Sequence, residues 1–206
     1  IAGFFREISL ASYFGVTTEA DVAVILLTLP DMFVTLLATG ALSAALIPEF
    51  ARRGPGVRSQ ALFVQVSVLV GLVFFAMAFL LGFFSDSLLF IFAPGLMMES
   101  AFQAPDLLKN VLWMMPLAAL AGVATSYLHA SNRFLMPSLS TFIYNGILVV
   151  GILYFLDPVR PLGSLTTIVV VAALARWIAQ LIRAPWSPLA TRSLRWGLIR
   201  RPLMIR

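Results

Sequence analysis

Three long apolar runs without a charged residue constrain this chain more than any other feature. They span residues 61–85, 110–128 and 134–156. A helix needs about 20 apolar residues to cross the hydrocarbon core of a bilayer, which is about 30 Å thick. Buried helices of soluble proteins rarely run this long without a charge, so we predict that each run is a membrane-spanning helix.

The composition of the whole chain supports a membrane protein. Of its 206 residues, 61% are hydrophobic and 11% are charged, whereas soluble domains carry roughly 25% charged residues. Such a chain could not cover its surface against water, and we predict an all-α integral membrane protein. The net charge of +5 does not indicate a nucleic-acid partner, because the arginines lie mainly at the ends of the apolar runs.

Three weaker apolar segments complete the predicted bundle. Asp31 interrupts the first, Arg176 lies near the end of the second, and the third contains Arg6 and is too short to cross alone. We interpret that short segment as the second half of a helix that begins earlier, and both chain ends look cut. The predicted bundle covers residues 1–185, with about six spans near residues 1–14, 22–48, 61–85, 108–128, 134–156 and 161–182.

The last segment, residues 186–206, is basic and has two interpretations. Arg192 and Arg195 lie beside Leu194, Trp196 and Leu198, a pattern typical of a helix lying in the membrane interface with its basic side chains toward anionic lipid. The same residues could form an ordinary connection to further helices, and the pattern leaves both readings open.

The distribution of basic residues predicts the orientation. If the first helix runs from inside to outside, ten basic residues lie inside and two lie outside, as the positive-inside rule requires. The loops near Gly56 and Arg133 and the C-terminal end are then inside, whereas Asp86 and Asp157 are outside. The ten inside residues are Arg52, Arg53, Arg58, Arg133, Arg183, Arg192, Arg195, Arg200, Arg201 and Arg206.

Charged residues within the spans are the candidate functional residues, because a charge in the hydrocarbon core is costly and usually faces a cavity or a partner. Arg6 and Asp31 would lie about 12 and 13 Å below the outer ends of neighbouring helices. This matched depth predicts a direct or water-bridged pair, either functional or purely structural. Glu7 lies about 100° around the helix from Arg6 and is expected to point elsewhere. Arg176 lies nearer the inner end and is expected to extend to the headgroups.

Catalytic residues are nearly absent from the sequence. His129 is the one histidine, there is no cysteine, and residues 54–56 lack the lysine and spacing of a phosphate-binding loop. We interpret His129 as an interfacial structural residue, and we predict no cofactor and no metal site.

Several short motifs resemble a known family when they are taken together in order. Residues 3–48 and 93–145 match the N-terminal region of the MurJ/MviN family, which comprises lipid II flippases of bacterial cell-wall synthesis in the multidrug, oligosaccharidyl-lipid and polysaccharide exporter superfamily. The residues that carry the resemblance are GFFRE at 3–7, YFG at 13–15, GALSAALIP at 40–48, APG at 93–95 and NRF at 132–134.

The resemblance implies an architecture, a location and a set of partners. Family members have about fourteen helices in two related halves around a central cavity, and this chain resembles the first half of such a flippase. It implies a multi-pass protein of the bacterial inner membrane, with the bilayer, a C-terminal half of the same protein and cell-wall synthesis enzymes as partners.

The resemblance also implies site residues. The arginine at the Arg6 position lines the cavity and meets the lipid diphosphate, and the acid at the Asp21 position near the outer end matters for activity. Asp31 departs from the family, in which an asparagine is followed by arginines, and Thr39 replaces a glutamate. The predicted substrate-binding residues are Arg6, Asp21 and Asp31.

The predicted function is movement of a polyprenyl-diphosphate-linked sugar, lipid II or a related glycan, across the inner membrane. One alternative is a non-transporting scaffold for cell-envelope enzymes, because the altered charges at Asp31 and Thr39 are compatible with lost transport. A membrane-embedded glycosyl or acyl transferase is disfavoured, since no cluster of acids and bases lies at either interface.

Overall fold

The computed structural model describes residues 2–54, 56–95 and 104–184, except for the side chains of residues 38–41. Within these ranges all regular structure is helical, which confirms the predicted all-α class. The predicted basic segment 186–206 lies outside the described residues. The elements are α1 (Ala2–Phe14), α2 (Thr18–Val34), a π-helical segment (Thr35–Leu42), α3 (Ser43–Arg53), α4 (Val57–Phe83), α5 (Ser85–Phe92), α6 (Ala104–Val111), α7 (Met114–Ala130), α8 (Leu135–Tyr154) and α9 (Pro161–Leu181).

Five helical stretches of the described chain are long and apolar enough to cross a membrane: Thr18–Leu37, Val57–Phe83, Ala104–Ala130, Leu135–Tyr154 and Pro161–Leu181. This finding confirms a multi-pass membrane protein. The remaining predicted span, α1, has 13 residues and is about 20 Å long. It is shorter than the hydrocarbon core, as the sequence indicated.

The second predicted span, residues 22–48, extends further in both directions. It begins at Thr18, because the Thr17 hydroxyl accepts a hydrogen bond from the Ala20 amide at 3.2 Å and caps the helix. Glu19 and Asp21 in the first turn complement the helix dipole. Helical structure then continues through the π-helical segment and α3 as far as Arg53.

The π-helical segment interrupts the regular hydrogen bonding of this long helix. It covers Thr35–Leu42, and Pro30 lies in the turns before it. Proline removes one backbone hydrogen bond from a helix, and π-helical turns are rare and often lie at functional sites. The helix that carries Asp31 therefore becomes irregular about one turn after that residue, at Thr35.

The stretch Ala104–Ala130 forms the centre of the bundle. It is 78% buried, whereas the other four spans are 17–39% buried. α7 packs against α2, α3, α4 and α9. Small residues such as Ala119, Ala121 and Gly122 allow close approach of these neighbours, as is typical of helix packing in membranes.

A buried polar contact joins the last three long helices. The Gln180 side-chain amide donates hydrogen bonds to the Thr125 hydroxyl at 2.9 Å and to the Ser140 hydroxyl at 2.8 Å. Gln180 and Ser140 are completely buried. Hydrogen bonds between side chains of different helices stabilise membrane bundles, so Gln180 fixes α9 against both α7 and α8.

The antiparallel pair α8 and α9 has a register that three contacts define. Ser140 faces Gln180, the Arg176 guanidinium lies over the Tyr144 ring, and the Gly151 backbone lies against Ile168. The residue numbers of these contacts increase along α8 from Ser140 to Gly151, whereas those of their partners on α9 decrease from Gln180 to Ile168. This is the order expected for antiparallel helices. The turn at residues 155–160 closes this hairpin, where the Asp157 carboxylate accepts a hydrogen bond from the Val159 amide at 2.8 Å.

The loops predicted to be inside lie together at one end of the bundle. A recess of about 860 Å³ there is lined by Gly56, Asn132, Arg133 and Arg183. The Arg133 guanidinium donates a hydrogen bond to the Arg183 carbonyl at 3.2 Å. The structure therefore places the loop after α3, the loop after α7 and the end of α9 on the same side, as the arginine distribution predicts.

This arrangement predicts which side of a membrane each loop faces. Single cysteines in place of Gly56 and Asp157, both exposed, should react with an impermeant thiol reagent from opposite sides of sealed vesicles. The chain contains no cysteine, so each label reports one position. Reaction of both cysteines from the same side would contradict the proposed orientation.

Gly151 is predicted to be essential for the packing of α8 on α9. A methyl group at Gly151 would overlap Ile168 Cγ2 and lie 3.2 Å from its Cδ1, whereas a methyl group at Gly146 meets nothing within 4 Å. Gly151→Ala should be less stable than Gly146→Ala by about 1–3 kcal/mol, the usual cost of overpacking. Both changes gain similar helix propensity, so Gly146→Ala is the matched control.

Reversible unfolding in mixed micelles would measure this difference in stability. Equal stabilities of the two variants would show that Ile168 can move aside without cost and that the close approach at Gly151 does not fix the hairpin.

Candidate functional site

Tyr144 marks the place where charged groups from three other helices converge. Its side chain is buried near the middle of α8. The charges of Asp31, Arg6 and Arg176 all act on its hydroxyl group. These residues belong to α2, α1 and α9, so four helices contribute to one group of polar side chains. We call Arg6, Asp31, Tyr144 and Arg176 the Tyr144 cluster.

The packing of α1 on α8 brings Arg6 to this cluster. The two helices lie in contact, and a side chain at Gly3 would lie 3.9 Å from the Asn145 carbonyl oxygen. Asn145 is buried, and its amide donates to the Thr141 carbonyl at 2.9 Å. The start of α1 at Gly3 therefore lies beside the polar middle of α8.

Arg6 forms an ion pair with its neighbour Glu7. The Arg6 Nε donates a hydrogen bond to the Glu7 carboxylate at 3.1 Å, so the expectation that Glu7 would point elsewhere is wrong. Both side chains are long enough to bend toward each other along the surface of α1. The Glu7 side chain is 56% exposed and that of Arg6 is 27% exposed, and such partly exposed ion pairs contribute little to stability.

The predicted salt bridge between Arg6 and Asp31 is not formed. Arg6 lies about 12 Å from the end of α1, whereas Asp31 lies about 20 Å from the start of α2. The two depths differ because α2 begins at Thr18 and not at Val22. Asp31 is exposed and has no ion pair within the described ranges.

Asp21 lies apart from the cluster. It is exposed in the first turn of α2, about 15 Å along the helix from Asp31. The structure therefore brings Arg6 and Asp31 to the surroundings of Tyr144, but it leaves Asp21 near the end of the bundle opposite to the Arg133 loop.

Arg176 does not extend to the headgroups, contrary to the sequence-based expectation. Its guanidinium carbon lies 5.8 Å from the centroid of the Tyr144 ring, within the range of a cation–π interaction. Its Nε is buried and has no hydrogen-bond partner. The side chain is held at the depth of Tyr144, because Gln180 lies four residues later on the same face of α9 and fixes that face toward α8.

Tyr144, Asn145 and the inward position of Arg176 were missed by the sequence analysis. Two adjacent polar residues in the middle of the apolar run 134–156 were a usable signal, because polar groups within a span usually face the bundle interior. As for metals, no group of three or more His, Asp or Glu side chains in the described ranges is arranged to hold an ion.

The comparisons with known proteins all point to the same family. The model of the family described as "Lipid II flippase MurJ" matches residues 10–196. The lipid II flippase MurJ of Thermosipho africanus is 28% identical over 153 residues, which are 73% of this chain and 32% of that protein. A probable lipid II flippase MurJ of Buchnera aphidicola subsp. Schizaphis graminum is 29% identical over 166 residues, or 78% of this chain and 32% of the relative.

A more distant relative extends the match. The probable lipid II flippase MurJ of Synechocystis sp. is 25% identical over 197 residues, which cover 88% of this chain and 36% of the relative. The chain spans about a third of the length of these relatives. The family match begins after Arg6 but includes Asp21, Asp31, Tyr144 and Arg176. Because this match covers most of the sequence, the chain belongs to the MurJ family of lipid II flippases.

Proposed function

We propose that this chain forms the first half of a flippase that moves a polyprenyl-diphosphate-linked sugar across the bacterial inner membrane. Lipid II or a related lipid-linked glycan is the proposed cargo. The observation that carries this proposal is the Tyr144 cluster, which holds two arginines and an exposed carboxylate on apolar helices of the bundle. Family membership supports the same function.

The exposure of Asp31 supports a polar cavity on this face of the bundle. Asp31 lies within the apolar stretch Thr18–Leu37, and its side chain is not covered by the rest of the described chain. A carboxylate facing lipid tails would be costly. We therefore propose that a C-terminal half of the protein covers this face and encloses the cavity.

Arg6 is the proposed primary contact of the cargo diphosphate. Guanidinium groups bind phosphate oxygens through two parallel hydrogen bonds, which is stronger than a neutral contact. The ion pair with Glu7 orients Arg6, and an entering diphosphate can displace Glu7. The sugar and diphosphate would move through the polar cavity while the polyprenyl chain stays in the bilayer.

The two acids are proposed to weaken cargo binding along the path. Asp31 adds a negative charge near Arg6 and Arg176, which limits the affinity for a diphosphate. Asp21, near the outer end of α2, would repel the diphosphate and favour its release. The π-helical segment after Asp31 allows α2 to bend, which fits the rocking of two halves around a central site.

Binding of a polyprenyl diphosphate to the full-length protein in lipid nanodiscs would test these roles. Arg6→Gln should weaken binding about tenfold or more, because one charge-assisted hydrogen bond contributes about 1.5–3 kcal/mol. Asp31→Asn should tighten binding, since it removes a nearby negative charge. Arg160→Gln is the matched control, because Arg160 is an exposed arginine in the α8–α9 turn, away from the cluster.

In a transport assay with proteoliposomes, Arg6→Gln should transport the cargo more slowly than the wild type. Arg160→Gln, the control, should transport it at the wild-type rate. Equal affinities of the wild type, Arg6→Gln and Asp31→Asn would show that neither residue meets the headgroup. Absence of both binding and transport in the wild type would reject the flippase and favour the scaffold.

A further inference from the structure

We infer that Arg176 and Tyr144 form a second arm of the diphosphate-binding site, supplied by the α8–α9 hairpin and distinct from Arg6 on α1. This inference rests on the proposed function and names further residues of the same site. Arg176 would bind one phosphate of the cargo, and the Tyr144 hydroxyl would donate a hydrogen bond beside it.

Arg176 lacks an anionic partner among the described residues. In the part of the chain that the structure describes, its guanidinium forms no ion pair and no hydrogen bond, and its buried Nε has no acceptor. Arg176 is partly buried, and an unpaired charge within a membrane-spanning helix destabilises the protein. An arginine with a purely structural role would be expected to pair with an acid or to reach the headgroups, and Arg176 does neither.

Arg176 and Arg6 reach the surroundings of Tyr144 from different helices. The charges of both arginines act on the same Tyr144 hydroxyl, although they come from α9 and α1. A diphosphate carries two adjacent phosphate groups, each able to accept the paired hydrogen bonds of one guanidinium. Two arginines in the surroundings of Tyr144 therefore suit a diphosphate better than a monophosphate.

Arg176 is oriented before any cargo arrives. The Tyr144 ring lies below its guanidinium, and Gln180 fixes the same face of α9 through Ser140 and Thr125. A preoriented arginine loses little conformational freedom when it binds phosphate.

The test compares affinities of the full-length protein in nanodiscs for a polyprenyl diphosphate, a polyprenyl monophosphate and the neutral polyprenol. Arg176→Gln should weaken diphosphate binding about tenfold or more, as expected for a lost charge-assisted contact. It should reduce the preference for diphosphate over monophosphate and leave polyprenol binding unchanged. Arg176→Lys should restore part of the affinity, because it keeps the charge but loses the paired geometry.

Tyr144→Phe removes only the hydroxyl and should weaken diphosphate binding less than Arg176→Gln does. Arg160→Gln is again the control and should bind all three lipids as the wild type does. The inference of a second arm would be overturned if Arg176→Gln bound the diphosphate as tightly as the wild type while Arg6→Gln bound it weakly. That result would leave the proposed function intact. Failure of the wild type to bind any diphosphate lipid would reject the proposed function itself.

A second measurement covers the case in which Arg176→Gln does not fold. The rate at which phenylglyoxal modifies Arg176 in the wild-type protein can be followed by peptide mass spectrometry. A polyprenyl diphosphate should slow this modification, whereas polyprenol should not. An unchanged rate at Arg176 with a slowed rate at Arg6 would overturn the inference.

Discussion

The burial of the stretch Ala104–Ala130 is the constraint on which the rest of the bundle depends. Water cannot satisfy backbone groups within a bilayer, so this stretch must be helical. Its neighbours cover it on several sides, and its alanines and Gly122 leave room for them. The surrounding helices have fewer buried residues, and their remaining surfaces are available for lipid or for another part of the protein.

Hydrogen bonds within this packed centre also set the geometry of the candidate site. Gln180 binds Thr125 on α7 and Ser140 on α8. Residues four apart on a helix lie on the same face, so this contact directs Arg176 toward α8 and Tyr144 toward α9. A contact that stabilises the bundle thus also determines which way a charged side chain points.

Much of the fold could be predicted from the apolar runs, because the hydrocarbon thickness fixes the length of a spanning helix. The start of α2 at Thr18 could not be predicted from the apolar run, which begins only at Val22. Glu19 and Asp21 end the apolar run, but they extend the helix through capping and the helix dipole. Measuring depth from the apolar boundary and not from the helix start led to the expectation of a direct salt bridge between Arg6 and Asp31, which is not formed.

The position of Arg176 was missed for a different physical reason. Its distance from the end of α9 allows extension to the headgroups, and only the neighbouring helix decides whether it does so. The tight turn at residues 157–161 in the sequence could have given the register of α8 and α9, and that register places Tyr144 opposite Arg176. Side-chain direction within a membrane helix therefore follows from the pairing of helices more than from depth alone.

The Tyr144 cluster joins two parts of the bundle with different stiffness. The α8–α9 hairpin is fixed by the Gln180 contacts and by the close approach at Gly151, so Tyr144 and Arg176 keep their relative positions. Asp31 lies on a helix whose hydrogen bonding is interrupted by Pro30 and by the π-helical segment. Movement of α2 would change the distance of a negative charge from a fixed arginine, and hence the attraction of the cluster for an anion.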